Sequence, residues 1–220
     1  LLWLALMAST SALAEGGKEI RFGVDPTFAP FEWKDPQGKL AGFDIDLGNA
    51  ICQQLQAKCV WVESNFDGII PALKARKFDA ILSGMYMTEK RKAQIAFSDK
   101  LYNGPVFLVA RKNTLQGNTP EQLKGKTIGV LQGSIQETYA KEHWEKQGVT
   151  VVSYKDQNMA WGDLLNGRID ASLVMSAAGQ AGFLSKPQGK GFGFIGKPVS
   201  DDTILGSGIG FGLRKGDEAT

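Results

Sequence analysis

The sequence has 220 residues, 43% of them hydrophobic, which is enough for one large or two small domains. Its 25 Lys and Arg balance 23 Asp and Glu with both signs interspersed, which argues against nucleic acid and a polybasic membrane patch as partners. Residues 1–14 are apolar and end in Ala-Leu-Ala, which is typical of a partial signal peptide. No later apolar run approaches the ~18 residues of a membrane span. We therefore expect an exported, soluble protein.

The chain predicts a first β-α-β-α-β unit. A turn-rich stretch and a hairpin at 31–38 follow its first strand. Acidic residues in the first turn support a helix opening at 42–47, because the helix dipole favours them there. The unit comprises strands at 19–24, 60–62 and 80–82, and helices opening at 42–47 and spanning 67–74.

The two cysteines, Cys52 and Cys59, are close in sequence. In an exported chain such a pair predicts a disulfide. On one continuous helix their Cα atoms would be ~10 Å apart, beyond the ~7 Å that a bridge allows. The helix must therefore end near Gln56 and the chain turn back at 57–58. A zinc site would need more Cys or His, and the single His143 is distant, so we predict no metal and no cofactor.

The stretch 78–92 carries the most specific local signal. An apolar run is broken by Ser83-Gly84, and Thr88 is a suitable N-cap for a short helix that places Arg91 in its first turn. A guanidinium near free helix N–H groups can bind a carboxylate through two parallel hydrogen bonds. The alternative is a solvated surface arginine between Lys90 and Lys92.

A strand at 105–111 then leads the chain into a repeat of the same pattern. The second unit comprises strands at 126–130, 149–154 and 169–174, helices at 135–145 and 159–165, and a further strand at 209–214. Two such units predict an α/β fold of two lobes with a ligand cleft between them. We assign residues 15–103 and 208–220 to lobe 1 and 104–207 to lobe 2, and we expect the C-terminus to be truncated.

Several stretches together resemble one family. They are GVDPTFAPFE at 23–32, GFDIDL at 42–47, DGIIPAL at 67–73, TEKR at 88–91, GVLQG at 129–133 and GRIDA at 167–171. They resemble the periplasmic solute-binding proteins of polar amino-acid ABC importers, nearest the lysine/arginine/ornithine and histidine binders. The resemblance covers 18–217 and includes the cysteine pair. It implies a monomeric, hinged (type II) protein that closes on a small molecule and docks on an inner-membrane permease.

The resemblance also implies residue roles. Arg91 would bind the α-carboxylate of the ligand, assisted by backbone N–H groups of Ser83 and the Gly133-Ser134 turn. Asp25 would meet a cationic side chain, and Phe28 and Phe66 would sandwich the ligand, although core packing is an equal reading for Phe66. The full predicted ligand set is Asp25, Phe28, Phe66, Ser83, Gly84, Tyr86, Arg91, Leu131, Ser134, Gln136 and Met175.

Two positions depart from the family pattern. Met175 stands where binders of free amino acids carry an Asp that holds the α-ammonium, and Tyr86 stands where basic amino-acid binders usually have Ser. Methionine cannot accept a useful hydrogen bond from an ammonium, and a buried unpaired donor costs a few kcal/mol. The departure raises the hypothesis of an opine-like or otherwise N-substituted basic ligand.

Two other function classes remain open. One is an enzyme on the same fold, such as a cyclohexadienyl dehydratase-like lyase, which needs an acid in the cleft. The recognisable cleft residues offer Asp25 and Arg91 and no second carboxylate, and His143 lies well inside a predicted helix, so we predict a non-enzyme. The other is the sensor domain of a larger receptor.

Overall fold

The computed structural model describes residues 18–217. The predicted signal peptide, 1–14, lies outside the described residues. None of the helices in the described part of the chain has both the length and the apolar character needed to cross a membrane.

The first unit contains the expected elements and several short additional strands. In chain order they are β1 (Glu19–Val24), β2 (Thr27–Phe28), β3 (Glu32–Lys34), β4 (Leu40–Ala41), α1 (Phe43–Gln54), β5 (Lys58–Glu63), α2 (Ile69–Lys74), β6 (Ala80–Ile81), α3 (Glu89–Lys92) and β7 (Ala96–Phe97). The predicted hairpin is confirmed as β3 and β4, which pair antiparallel across a turn at Asp35 to Lys39.

The second unit follows, and the chain then returns to the first. Its elements are β8 (Val106–Arg111), α4 (Pro120–Leu123), β9 (Thr127–Leu131), α5 (Ile135–His143), β10 (Thr150–Tyr154), α6 (Gln157–Leu165), β11 (Ala171–Met175), α7 (Ser176–Gly179), β12 (Phe192–Val199), α8 (Asp202–Leu205) and the returning β13 (Gly212–Leu213). The helix predicted to reach 145 ends at His143. The helix predicted from 159 begins at Gln157, because Asp156 caps it by accepting from the N–H of Asn158.

Two five-stranded mixed sheets form the cores of the two lobes. The first has the order β5-β1-β6-β13-β7 and the second β10-β9-β11-β8-β12, while β2, β3 and β4 form a separate small sheet. In each large sheet one strand, β1 or β9, has a parallel neighbour on both sides. Asp25, directly after β1, and Leu131, the last residue of β9, line the same cavity, so the carboxyl ends of both strands face one region, as expected for a ligand site in such sheets.

Helices cover the sheets with buried apolar side chains. In the first lobe Ile69 and Leu73 of α2 pack with Phe78 and Ile81. In the second lobe Trp161 of α6 stacks on Phe183 at a ring-centroid distance of 4.7 Å. Burial of side chains of this size, about 1.5–3 kcal/mol each, is what stabilises the two cores.

The disulfide is confirmed. Cys52 and Cys59 are bonded with their Cα atoms 5.7 Å apart. Helix α1 ends at Gln54, and Gln56 adopts a left-handed backbone conformation (φ 51°) that turns the chain into β5. The early helix end is the physical reason that two cysteines so close in sequence can be bridged.

Two segments carry the chain between the lobes, one between β7 and β8 and one between β12 and β13. They pair with each other, since the N–H of Ile209 donates to Tyr102 O and Leu101 donates to Ile209 O, both at 2.8 Å. The strand predicted over 209–214 is therefore wrong in extent. Only Gly212–Leu213 joins the sheet, because Ile209 is engaged at the crossing. The proposed lobe boundaries at 103/104 and 207/208 lie in these segments and stay a prediction.

Candidate ligand-binding cleft

A narrow cavity lies between the two lobes at the carboxyl ends of their central strands. Its free volume is only about 20 Å³, roughly the space of one water molecule, so the lobes are closed on each other. All predicted ligand residues except Met175 line it, together with residues that the sequence did not identify. The lining is Asp25, Phe28, Glu32, Phe66, Ser83, Gly84, Tyr86, Arg91, Leu131, Ser134, Ile135, Gln136, Gln157, Leu173 and Val174.

Arg91 is a buried guanidinium in the cleft and not a surface arginine. Thr88 caps α3 as predicted, accepting from the N–H of Arg91 at 3.3 Å. Nη1 donates to Tyr86 O at 2.8 Å, and Nη2 donates to Gly133 O in the other lobe at 3.0 Å. The guanidinium also lies 5.4 Å from the centre of the Phe66 ring. Burial lowers its pKa to about 10, which leaves it charged at neutral pH.

Arg91 thus bridges the closed lobes through two carbonyl oxygens. A carboxylate would be a stronger partner for the same fork, because both hydrogen bonds would then join opposite charges. The guanidinium has no carboxylate partner among the described residues. It is therefore suited to exchange these carbonyl contacts for an incoming anion.

Asp25 follows β1 directly and is buried on the lobe 1 side of the cavity. Its carboxylate accepts hydrogen bonds from Thr27 Oγ1 and from the N–H of Phe66, both at 2.9 Å. Burial outweighs these bonds and raises its pKa to about 6. Such a carboxyl gains from a cation that enters the cavity.

Two further buried acids lie beside Asp25, and the expectation of no second carboxylate in the cleft is wrong. Glu32 Oε1 accepts from Ser83 Oγ at 3.0 Å, and Asp44 accepts from the N–H of Gly84 at 3.0 Å and the hydroxyl of Tyr102 at 2.9 Å. Burial is the main cause that raises the pKa of both carboxyls, and for Glu32 the neighbouring Asp44 comes next. In the sequence Glu32 has the pattern of an exposed acid in a hairpin. No neighbouring residue indicates that it will contact Ser83, which lies 51 positions later in the chain.

The lobe 2 side of the cavity is neutral. Ser134 caps α5, its Oγ accepting from the N–H of Glu137 at 3.1 Å and donating to Leu131 O at 2.6 Å. Gln136 is buried beside it, and Gln157, which the sequence did not identify, donates to Ser172 Oγ at 3.2 Å.

Gly133 forms a close backbone contact across the cleft. Its φ is +78°, and a Cβ built on it would lie 2.7 Å from the Cα of Asp67 in lobe 1. No side chain other than hydrogen fits there without moving one lobe away from the other. The glycine therefore allows the lobes to close this far.

Tyr86 lines the cavity, whereas Met175 lies behind its wall. Met175 is buried at the end of β11 and packs in the core cluster that also contains Tyr86. Its sulfur is 2.8 Å from where a Cβ on Gly104 would be, while Val174 and Leu173 line the cavity in its place. Tyr86 donates its hydroxyl to Gly104 O at 2.8 Å. Their influence on ligand choice stays a prediction.

A wider outer compartment of about 640 Å³ opens from the inner cavity. The two share Asp25, Phe28 and Gln157 as lining residues. Trp33 from lobe 1 and Trp161 from lobe 2 face this compartment, as do the exposed residues Lys155 and Lys186. Because the inner cavity has room for about one water molecule, an amino acid enters it only when the lobes part, and a longer ligand then extends toward the cleft mouth.

His143 does not take part in the cleft. It is the last residue of α5, its side chain is 42% exposed, and Nε2 lies 2.8 Å from a carboxylate oxygen of Asp201. This agrees with its interpretation as a surface residue.

Two lobes that close on a cavity lined by a buried guanidinium and buried carboxyls define a solute-binding protein. The model of the bacterial extracellular solute-binding proteins, family 3, matches residues 20–219. The lysine/arginine/ornithine-binding periplasmic protein of Escherichia coli is 49% identical over 216 residues, which cover 98% of this chain and 83% of the relative. The chain therefore belongs to the bacterial extracellular solute-binding proteins of family 3.

Solved structures agree with this assignment. A Salmonella typhimurium periplasmic binding protein described as highly specific for arginine superposes with a TM-score of 0.84 at 35% identity, covering 92% of this chain and 88% of the other. An ancestral amino-acid-binding protein, described as a precursor of cyclohexadienyl dehydratase, gives 0.80 at 30% identity, covering 91% and 84%. The two-lobed α/β fold predicted from the sequence is confirmed.

Proposed function

We propose that this protein captures a basic amino acid in the periplasm, to which a signal peptide exports it, and delivers it as a monomer to an inner-membrane ABC permease. The observation that carries the proposal is that one closed cavity is lined both by the Arg91 guanidinium and by the buried carboxyls of Asp25 and Glu32. A basic amino acid has a carboxylate at one end and a cation at the other. The names of the protein's relatives, which include lysine/arginine/ornithine and arginine binders, support this ligand class.

The distribution of charge gives the ligand an orientation. Its α-carboxylate would replace the two carbonyl oxygens as partner of Arg91, and its side-chain cation would approach Asp25 and Glu32. Each charge-assisted hydrogen bond contributes about 1.5–3 kcal/mol when buried. The aromatic ring of Phe28, also in the lining, would cover the aliphatic part or the guanidinium of the ligand.

Thermal unfolding of the mature protein against arginine, lysine, ornithine, histidine and neutral amino acids tests this proposal. A ligand at ~100 times its dissociation constant adds about 2.7 kcal/mol, which raises Tm by several degrees. We expect a shift with at least one basic amino acid and none with leucine or glutamate. A protein that responds to neutral amino acids equally well would contradict the proposal.

An N-substituted, opine-like basic ligand is a second candidate. Met175 offers no acceptor for an α-ammonium, and the outer compartment leaves room for a substituent beside the inner cavity. Octopine and nopaline in the same thermal assay distinguish the two. A shift with these compounds but not with arginine would favour the derivative.

A dehydratase-like lyase is the third candidate, because Glu32 is a buried acid that can hold a proton in the cleft. Protein incubated with prephenate should produce no phenylpyruvate if the binding function is correct. Formation of phenylpyruvate that Glu32→Gln abolishes would instead establish the enzyme.

A further inference from the structure

Glu32 and Asp44 are buried with their carboxyl groups side by side, and no cationic side chain among residues 18–217 forms an ion pair with either. Glu32 is 1% exposed and Asp44 is not exposed at all. Their partners are neutral donors: a serine hydroxyl for Glu32, and a backbone N–H and a tyrosine hydroxyl for Asp44. Glu32 Oε2 is buried and accepts no hydrogen bond from any described residue. Two neighbouring carboxylates in such surroundings cannot both be ionised at moderate cost.

The groups around the pair leave its negative charge uncompensated. The titratable or charged groups from the elements packed around it are Asp25 after β1, Tyr86 after β6, Tyr102 before β8 and Arg91 of α3. Asp25 adds negative charge, and the two tyrosines are neutral donors. Arg91 is directed to the carbonyl oxygens of Tyr86 and Gly133 instead of to either acid.

We propose that Glu32 and Asp44 share one proton in the ligand-free protein and release it when the cationic side chain of the ligand enters, so that capture is linked to proton loss. The shared proton lies on Glu32 Oε2 and is donated to the Asp44 carboxylate. An ammonium or guanidinium then takes the place of that proton as the positive partner, and the proton passes to solvent. This inference rests on the proposed function, since it requires a cationic ligand.

The sign of the pH dependence follows from linkage. The complex holds fewer protons than the free protein, so binding is weakened when the proton concentration rises. For one released proton, the affinity falls by up to tenfold for each pH unit below the pH at which the free pair would ionise. Ligand would be held more tightly in a neutral than in an acidic periplasm.

Isothermal titration calorimetry measures the released proton directly. Arginine is titrated at pH 7.5 in two buffers that differ in ionisation enthalpy, and the difference in heat gives the number of protons transferred. We expect about one proton for the native protein and close to none for Glu32→Gln, in which an amide replaces the shared proton. Glu63→Gln is the control, because Glu63 is a half-exposed carboxylate at the mouth of the same cleft, paired with Lys34 at 2.8 Å.

Infrared spectroscopy of the ligand-free protein provides a second measurement. A protonated carboxyl band should be present at pH 7.5, vanish on addition of arginine and be absent from Glu32→Gln and Asp44→Asn. Binding of arginine with no proton release and no such band would overturn the inference and leave the proposed function intact. Failure of every basic ligand to bind would overturn both.

Discussion

The two walls of the cleft differ in the chemistry of the side chains that line them. The lobe 1 wall carries the ionisable groups, with Arg91, Asp25 and Glu32 facing the cavity, while the lobe 2 wall contributes only hydroxyl, amide and apolar groups. Charged hydrogen bonds are roughly twice as strong as neutral ones. We therefore expect lobe 1 to select the ligand by charge and lobe 2 to close over it with weaker, shape-dependent contacts.

The strongest test of this asymmetry removes the lobe 1 cation. Arg91→Met keeps an unbranched apolar stem but loses the guanidinium donors and the charge, so affinity for the basic ligand should fall at least 100-fold, or about 3 kcal/mol. Calorimetric titration measures the loss. Arg168→Met, at a side chain that is 71% exposed in lobe 2, is the control and should bind like the native protein. Retention of full affinity in Arg91→Met would contradict the assignment.

The lobe 1 acids should also make stability depend on pH. The pKa of Asp25 is raised from 3.8 to about 6 in the folded chain, so its stabilising contribution is complete below pH 4 and is lost as pH rises through 6. The change is at most about 3 kcal/mol. Between pH 4 and 7 the ligand-free native protein should therefore lose stability that Asp25→Asn does not lose.

Urea unfolding at a series of pH values measures this slope. Asp99→Asn, at an exposed lobe 1 position, is the control and should follow the native curve. Below pH 4 the trend should reverse, because the pKa of Asp79 is lowered by its bonds to Arg21, and protonation of Asp79 removes that ion pair. Identical slopes for the native protein and Asp25→Asn would show that Asp25 is ionised when folded.

Closure itself can be tested at Gly133. Gly133→Ala should weaken ligand binding about tenfold, since a methyl group there meets the Cα of Asp67 before the lobes close fully. Gly125→Ala is a matched control: φ is +75° instead of +78°, and a Cβ there meets nothing within 4 Å. Both variants should lose about 1–2 kcal/mol of stability from backbone strain.

Of the two variants, only Gly133→Ala should change the ligand affinity. Its liganded form should also keep a larger radius of gyration in small-angle X-ray scattering than the liganded native protein. Equal affinities for the two alanine variants would show that the contact with Asp67 does not limit closure.

The smallest effect is expected on the lobe 2 wall. Gln136→Ala removes a neutral side chain from the cavity lining, so affinity should fall by less than about tenfold. The comparison with Arg91→Met, measured by the same titration, gives the ratio of the two walls' contributions. A larger loss at Gln136 than at Arg91 would reverse the proposed division between the lobes.

Features set by neighbours in sequence were predictable. Thr88 as a cap, the broken strand at Ser83-Gly84 and the bridge between Cys52 and Cys59 follow from local geometry, and the structure contains all three. The two repeated units also predicted the two sheets, because strand and helix periodicity is a local property.

Features set by distant contacts were not predictable. Glu32 and Asp44 become a buried pair only because β3, α1 and the segment after β6 pack together. The apolar stretch at 209–214 has the composition of a strand, yet the crossing segment takes the backbone groups of Ile209. Met175 lies in the core beside the cavity, a position that depends on how β11 packs against Gly104 and Tyr86.

The pairing of the two crossing segments has a mechanical consequence. Ile209 forms bridges to both Tyr86 and Tyr102, and Tyr102 is in turn stacked on Phe31 with ring centroids 4.8 Å apart. Two crossing segments that are hydrogen-bonded side by side allow the lobes to rotate about one hinge axis but resist twisting of one lobe against the other. A single donor–acceptor dye pair across the cleft mouth would thus follow the whole motion, and the protein could serve as a one-coordinate optical sensor for its ligand.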